Sequence, residues 1–164
     1  MTRLILICGS IGAGKTTYSI SLAKEVKAVR FSIDPWMQTL FSKDMKSSDY
    51  SWIIERVYRC YEQIWEVSRQ ILMLRGNVIL DFGFTTKAQR KIFITKAKEI
   101  GINSEIHYLD VPLDIRKQRV KQRNINKDTD LYSFEVTDTM FNFMESKFEI
   151  PDDEEMVNGC TINA

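Results

Sequence analysis

Histidine is almost missing from this chain, cysteine and proline are scarce, and neither sign of charge prevails. A single histidine, His107, in 164 residues leaves no route to a histidine-based metal cluster or to a catalytic pair of imidazoles. The three cysteines, Cys8, Cys60 and Cys160, are odd in number, widely separated and free of any CxxC pairing. Neither a disulfide framework nor a zinc site is expected, and a reducing, cytoplasmic setting fits that usage. With 23 basic against 22 acidic residues, the formal net charge is +1, so no whole-molecule attraction to nucleic acid or membrane surfaces follows. No apolar run approaches the roughly 18 residues of a membrane span. The opening run Leu4–Cys8 is also too short for a signal-peptide core.

What is present belongs to an ordinary globular class, 44% hydrophobic and 27% charged. The length suits one domain spanning residues 1–164. Leu4–Cys8 is a short continuous apolar run, as expected of a strand covered on both faces of a parallel sheet. A glycine-rich turn follows, then a helix over Thr16–Lys27 with Ile20 and Ala23 on its buried face. A second strand over Ala28–Ile33 stops at Asp34 and Pro35. Apolar residues recur every three or four positions from Tyr50 to Arg75, which predicts a long helix closed by Gly76 and Asn77. Val78–Leu80 reads as a third strand ending in Asp81, Thr86–Ile100 as a helix closed by Gly101, and Ser104–Val111 as a fourth strand. Pro112 opens a basic helix to about Asn124, a polar stretch follows, and an aromatic-rich helix covers Thr137–Phe148. The acidic stretch Pro151–Glu155 reads as solvated, and Val157–Ile162 is a candidate fifth strand. Strands alternating with helices predict a parallel α/β sheet with ligands at the carboxyl ends of its strands.

The chemistry begins at Gly9–Thr16, GSIGAGKT, which satisfies GxxxxGK[ST] between an expected strand and an expected helix. Glycines let successive amides turn inward around phosphate oxygens, and the helix N-terminus adds positive dipole. The candidate nucleotide-binding residues are therefore Gly9, Ser10, Ile11, Gly12, Ala13, Gly14, Lys15, Thr16 and Thr17. Lys15 would reach the β- and γ-phosphates of ATP, and Thr16 would ligate Mg2+. Asp81, at the end of an apolar strand, is the second candidate magnesium ligand, the alternative being a helix cap. The DFG at Asp81–Gly83 imitates a protein-kinase motif, but no HRD accompanies it. Asp34, at the same expected sheet edge, is the candidate general base for an acceptor hydroxyl, again with a cap as the alternative. Trp36, Met37, Phe41 and Trp52 suit an acceptor pocket, although burial in the core explains such residues more often. Arg116, Arg119 and Arg123 share one helical face, either as a charge-stabilising group on the transferring phosphate or as a solvated surface.

These motifs in order, GSIGAGKT, FSIDPW, NVILDFGF, HYLDVPLDIRKQRVKQRN and FEVTDTMFNFMESKFEIPDDEE, resemble the predicted-kinase branch of bacterial P-loop ATP-binding proteins. That branch is similar to chloramphenicol phosphotransferase, zeta-toxin kinases and the kinase domain of polynucleotide 5′-hydroxyl kinase. The resemblance covers nearly the whole chain. It implies a three-layer P-loop kinase fold with strand order 2-3-1-4, a fifth strand lying beyond if one forms. It also implies Asp34 as candidate base, Asp81 as the magnesium carboxylate, and Arg116, Arg119 and Arg123 as a phosphate-closing lid over about residues 112–130. It assigns no acceptor, because the segment around Trp36–Tyr61 matches no one relative closely.

The resulting expectation is an ATP- and Mg2+-dependent phosphotransferase acting on a hydroxyl of a small molecule. A nucleotide-dependent switch that hydrolyses ATP slowly is the second reading. A 5′-hydroxyl nucleic-acid kinase ranks third, since the one concentrated basic stretch, Arg116–Lys127, is already accounted for by the lid.

Overall fold

The computed structural model describes residues 2–44, 50–126 and 135–163. Residues 127–130 of the expected lid therefore lie outside the described residues, as do residues 45–49 of the acceptor-side segment. Five parallel strands, β1 (Leu4–Cys8), β2 (Ala28–Ser32), β3 (Asn77–Gly83), β4 (Ser104–Asp110) and β5 (Cys160–Asn163), form one sheet in the order β2-β3-β1-β4-β5. The expected order holds, and the fifth strand exists.

The central strand shows why its sequence is apolar throughout. All five residues of β1 are fully buried, and they alternate between two cores. Leu4, Leu6 and Cys8 face the larger core, built with α3 (Tyr50–Met73) and α4 (Lys87–Glu99), while Ile5 and Ile7 face the core beneath α1 (Lys15–Glu25). Helices on both faces leave no solvated side for polar alternation. The larger core is strongly aromatic, with Phe93 packed edge to face against both Phe82 and Phe84 and Tyr61 stacked on Phe82 at 4.6 Å.

Several local expectations are corrected. α1 buries Ser19 and Leu22, whereas Ile20 is exposed. The helix after β2 is α2 (Ile33–Phe41), which begins before Pro35 with Ser32 at its N-cap position, so Asp34 sits in the first turn and is not the cap. α3 buries Trp65, Ser68 and Leu72, while Leu74 falls past its end and is 85% exposed. Its terminus is a Schellman turn, with Gly76 N–H donating to Ile71 O and Arg75 N–H to Leu72 O. Arg75, not Gly76, takes the left-handed conformation there, at φ 64°. Gly76 is required for another reason, since a Cβ on it would lie 2.6 Å from the Ile71 side chain.

The acidic stretch Pro151–Glu155 is not simply solvated. Glu155 forms a bidentate ion pair with the fully buried Arg90 of α4, at 2.7 and 3.0 Å. The second Arg90 terminal nitrogen donates to Glu149 O and Phe84 O. The chain leading to β5 is thereby tied to the loop that leaves β3. Near it, α5 (Leu113–Asn126) and α6 (Asp138–Lys147) are joined by Val120 and Phe141, with Val136 packed between them and Ile11 against the cluster. The Asn124 side chain closes this arrangement by bonding both the N–H and the C=O of Val136.

Candidate active site

A cleft of about 440 Å³ opens at the carboxyl ends of β1, β2 and β3. Of the sequence-derived site residues, Gly9, Ser10, Ile11, Gly12, Gly14, Lys15, Thr16, Thr17, Asp34, Asp81, Arg119 and Arg123 line it together. Ala13 and Arg116 do not: Ala13 is buried beneath the loop, and Arg116 is turned away into the fold.

The loop from β1 to α1 is held in the required shape by its own backbone and by α5. Gly12 and Gly14 adopt φ 78° and 90°, a region that L side chains enter at a cost. A Cβ on Gly12 would lie 2.6 Å from Arg116 O, so the loop and α5 meet backbone to backbone. Lys15 Nζ donates to the carbonyls of Gly9 and Ser10 at 2.7 and 3.0 Å, folded across the mouth of its own loop. Burial pushes the Lys15 pKa down, with the carboxylates of Asp81 and Asp34 acting in the opposite direction. Cys8, just before the loop, is buried, and desolvation raises its thiol to about 11. It is inert packing and not a nucleophile.

Asp81 lies within β3, beside Ser32 in the β2–β3 register, and is 6% exposed. Its Oδ2 accepts from Arg30 at 2.6 Å and from Ser19 Oγ at 2.9 Å, while Arg30 Nε also donates to Ser19 Oγ at 2.6 Å. Ser19 Oγ is in turn 2.9 Å from Thr16 O. Asp34, two residues beyond the Ser32 that pairs with Asp81, lines the same cleft, reached by solvent but crowded by its walls. That crowding raises its pKa, the Asp81 charge raises it further, and Lys15, Arg123 and Arg30 oppose the rise.

The three lid arginines divide. Arg116 is buried and bidentate to Glu145 of α6 at 2.5 and 2.7 Å, and its Nε donates to Val111 O. Arg119 donates to Ala13 O at 3.3 Å. Arg123 carries a buried Nε that has no hydrogen-bond partner among the described residues. A buried guanidinium N–H on a cleft wall is costly until an acceptor reaches it. Glu145, which also accepts from Ser10 Oγ at 2.9 Å, escaped sequence reasoning, as did Arg30. No spacing announces either, because Glu145 meets Arg116 and Ser10 from 29 and 135 residues away, and Arg30 meets Ser19 and Asp81 from 11 and 51. Trp36, Met37 and Phe41 pack against the larger core and are absent from the cleft walls, and Trp52 stacks edge-on to Phe41.

The residues fit a magnesium nucleotide. Glycine-rich amides, Lys15 and the unpaired Arg123 Nε–H suit phosphate oxygens, and Thr16 with Asp81 offers ligand oxygens in the same cleft. No group of three or more His, Cys, Asp or Glu among the described residues makes a self-sufficient metal cage. That agrees with magnesium held by few protein oxygens plus phosphate and water.

An AAA domain family model (AAA_33) matches residues 4–151, most of the chain. The chain belongs to that family. No curated protein sequence matches this AAA-domain chain. Among solved structures, a protein of Chloroflexus aurantiacus J-10-fl is 17% identical, covering 99% of this chain and 88% of that one at a TM-score of 0.76. Kti12 of Chaetomium thermophilum, in complex with ADP-AlF3, is 15% identical over 98% and 89% of the two chains at 0.74. A sugar kinase of Janibacter sp. HTCC2649 is 15% identical over 99% and 86% at 0.66. The AAA-domain chain thus has the P-loop kinase-like fold that its motif order implied. No described helix is long and apolar enough to cross a membrane.

Proposed function

We propose that this chain is an ATP- and magnesium-dependent phosphotransferase that moves the γ-phosphate to a hydroxyl of a small-molecule acceptor. The observation that carries the proposal is the convergence of two carboxylates, Asp34 and Asp81, with Lys15, Arg119 and Arg123 on one cleft. One carboxylate suffices for a metal. The second, with its pKa raised by crowding and by its neighbour's charge, has the character of a general base closer to its operating pH than an ordinary aspartate.

In this reading the amides of Gly9–Thr16 and the Lys15 ammonium orient the triphosphate, and Thr16 and Asp81 hold magnesium, which supplies neutralisation of phosphate charge. Asp34 takes the proton from the acceptor hydroxyl as its oxygen bonds the γ-phosphorus and the bond to the β-phosphate oxygen breaks. Arg123 and Arg119 offer N–H groups to the charge spread over the γ-oxygens. Arg116 acts at one remove, holding α5 through Glu145.

Labelled ATP offered with a panel of hydroxylated metabolites tests the reading. Parent protein should transfer label to one class. Asp34→Asn should keep ATP affinity within about twofold and lose about 10² to 10⁴ in transfer rate. Transfer at the parental rate would remove Asp34 from the chemistry. Label that ends only as free phosphate, whatever is added, would favour the switch.

A further inference from the structure

Asp81 is held in place by a residue that the motif order does not mark. Arg30 projects from β2 on the α1 side of the sheet, as do Ile79 and Asp81 from β3. Its guanidinium makes two short bonds at once, Nε to Ser19 Oγ and a terminal nitrogen to Asp81 Oδ2, each at 2.6 Å. The ion pair is sheltered, its side chains 18% and 5% exposed, so it is far less screened than a surface pair. Ser19 is fully buried and completes a closed figure, its oxygen lying 2.9 Å from both Asp81 Oδ2 and Thr16 O. Its single proton serves one of these two acceptors at a time.

The consequence is specific. The two residues that offer oxygens to magnesium stand on different elements, Thr16 on α1 and Asp81 on β3. Arg30 and Ser19 tie them together. The Arg30 terminal nitrogen and the Ser19 hydroxyl meet on one carboxylate oxygen, Oδ2, while Arg30 Nε holds Ser19 Oγ itself. This anchors the carboxylate at Oδ2 beside the cleft that Asp81 lines. We propose that Arg30, directly and together with Ser19, is a positioning residue that sets the magnesium affinity of the nucleotide site by locking Asp81 Oδ2. The assignment rests on the metal-site reading given under Proposed function. Partners that orient a metal ligand from behind typically contribute 10- to 100-fold to metal affinity. A planar guanidinium that makes two bonds holds such a geometry better than an ammonium on a flexible stem.

The test is calorimetry of a non-hydrolysable ATP analogue, titrated with and without magnesium, on parent protein, Arg30→Met and Ser19→Ala. Methionine keeps the apolar stem and removes the fork, while Ser19→Ala removes one hydroxyl at a helix position where alanine is well tolerated. In the parent, magnesium should tighten binding. In Arg30→Met the magnesium-dependent part should fall about 10- to 100-fold while metal-free affinity stays within twofold, and Ser19→Ala should show a smaller loss of the same kind. If Arg30→Met does not fold, Ser19→Ala alone decides, since only the tie predicts a loss confined to the magnesium-dependent part. An unchanged or tightened magnesium response overturns the assignment, as does an equal loss with and without metal, which would mark Arg30 as structural support only. A parent that binds the analogue equally well with and without magnesium overturns the metal-site reading itself, and this assignment with it.

Discussion

Neutralising Glu155 should unfold this protein readily, although Glu155 lies far along the chain in a stretch that looks solvated. Arg90 is 0% exposed and the Glu155 side chain 7%, so neither charge falls back on water when its partner is lost. Breaking such a pair from one side typically costs about 3–5 kcal/mol, a large part of the ~5–15 kcal/mol that holds a domain folded. At about 2–4 °C per kcal/mol for a chain of this size, Glu155→Gln should lower Tm by roughly 10 °C. Arg90→Met should cost at least as much, because it also strips the donor from the carbonyls of Phe84 and Glu149. Combining Arg90→Met with Glu155→Leu removes both charges and should recover part of the loss, leaving about 2–3 kcal/mol for the two carbonyls. Urea unfolding of the parent, Arg90→Met, Glu155→Leu and the double that combines them, followed by circular dichroism, gives the coupling energy from the cycle. Singles costing under about 1 kcal/mol, or strictly additive effects, would refute the buried-pair reasoning.

Three further outcomes are expected. Arg75→Gly should raise stability by about 0.5–1 kcal/mol in the same urea assay, because it removes a side chain from the left-handed cap of α3 while keeping both Schellman hydrogen bonds. The acidic limb of the pH–rate profile should lie above the usual aspartate range, since the Asp34 pKa is raised from 3.8. By linkage, a carboxyl raised in the folded state favours folding while protonated. That contribution is complete below pH 3.8 and is lost as pH rises through the folded value, so Asp34→Asn should gain on the parent in Tm as pH increases across that window.

What could be read from the sequence was whatever depends on near neighbours. The β1 run, the GxxxxGK[ST] turn and the strand–helix alternation are local patterns, and sheet order followed once the motif order pointed to a known arrangement. Register across the sheet and contacts between distant elements were not legible. Arg30 reads as a charge inside a strand until β2 is laid beside β3 and Asp81 comes within reach. Glu155 and Glu145 read as acidic residues on polar segments until Arg90 and Arg116 are found buried beneath them. The lid arginines share one face by spacing alone, yet α6 claims the first of them, and nothing in residues 116–123 announces a partner at position 145. Asp34 was placed at the correct sheet edge, but the turn of helix containing it starts two residues earlier than its proline suggests.

The absent side chain at Gly12 has an architectural consequence. With the Arg116 carbonyl pressed against the space where a methyl group would stand, the glycine-rich turn after β1 and the helix that carries Arg119 and Arg123 share a contact surface with no slack. Neither can be remodelled alone: an engineer transplanting a different arginine-bearing helix onto this scaffold would have to bring its matching turn as well, and the pair behaves as one inherited part.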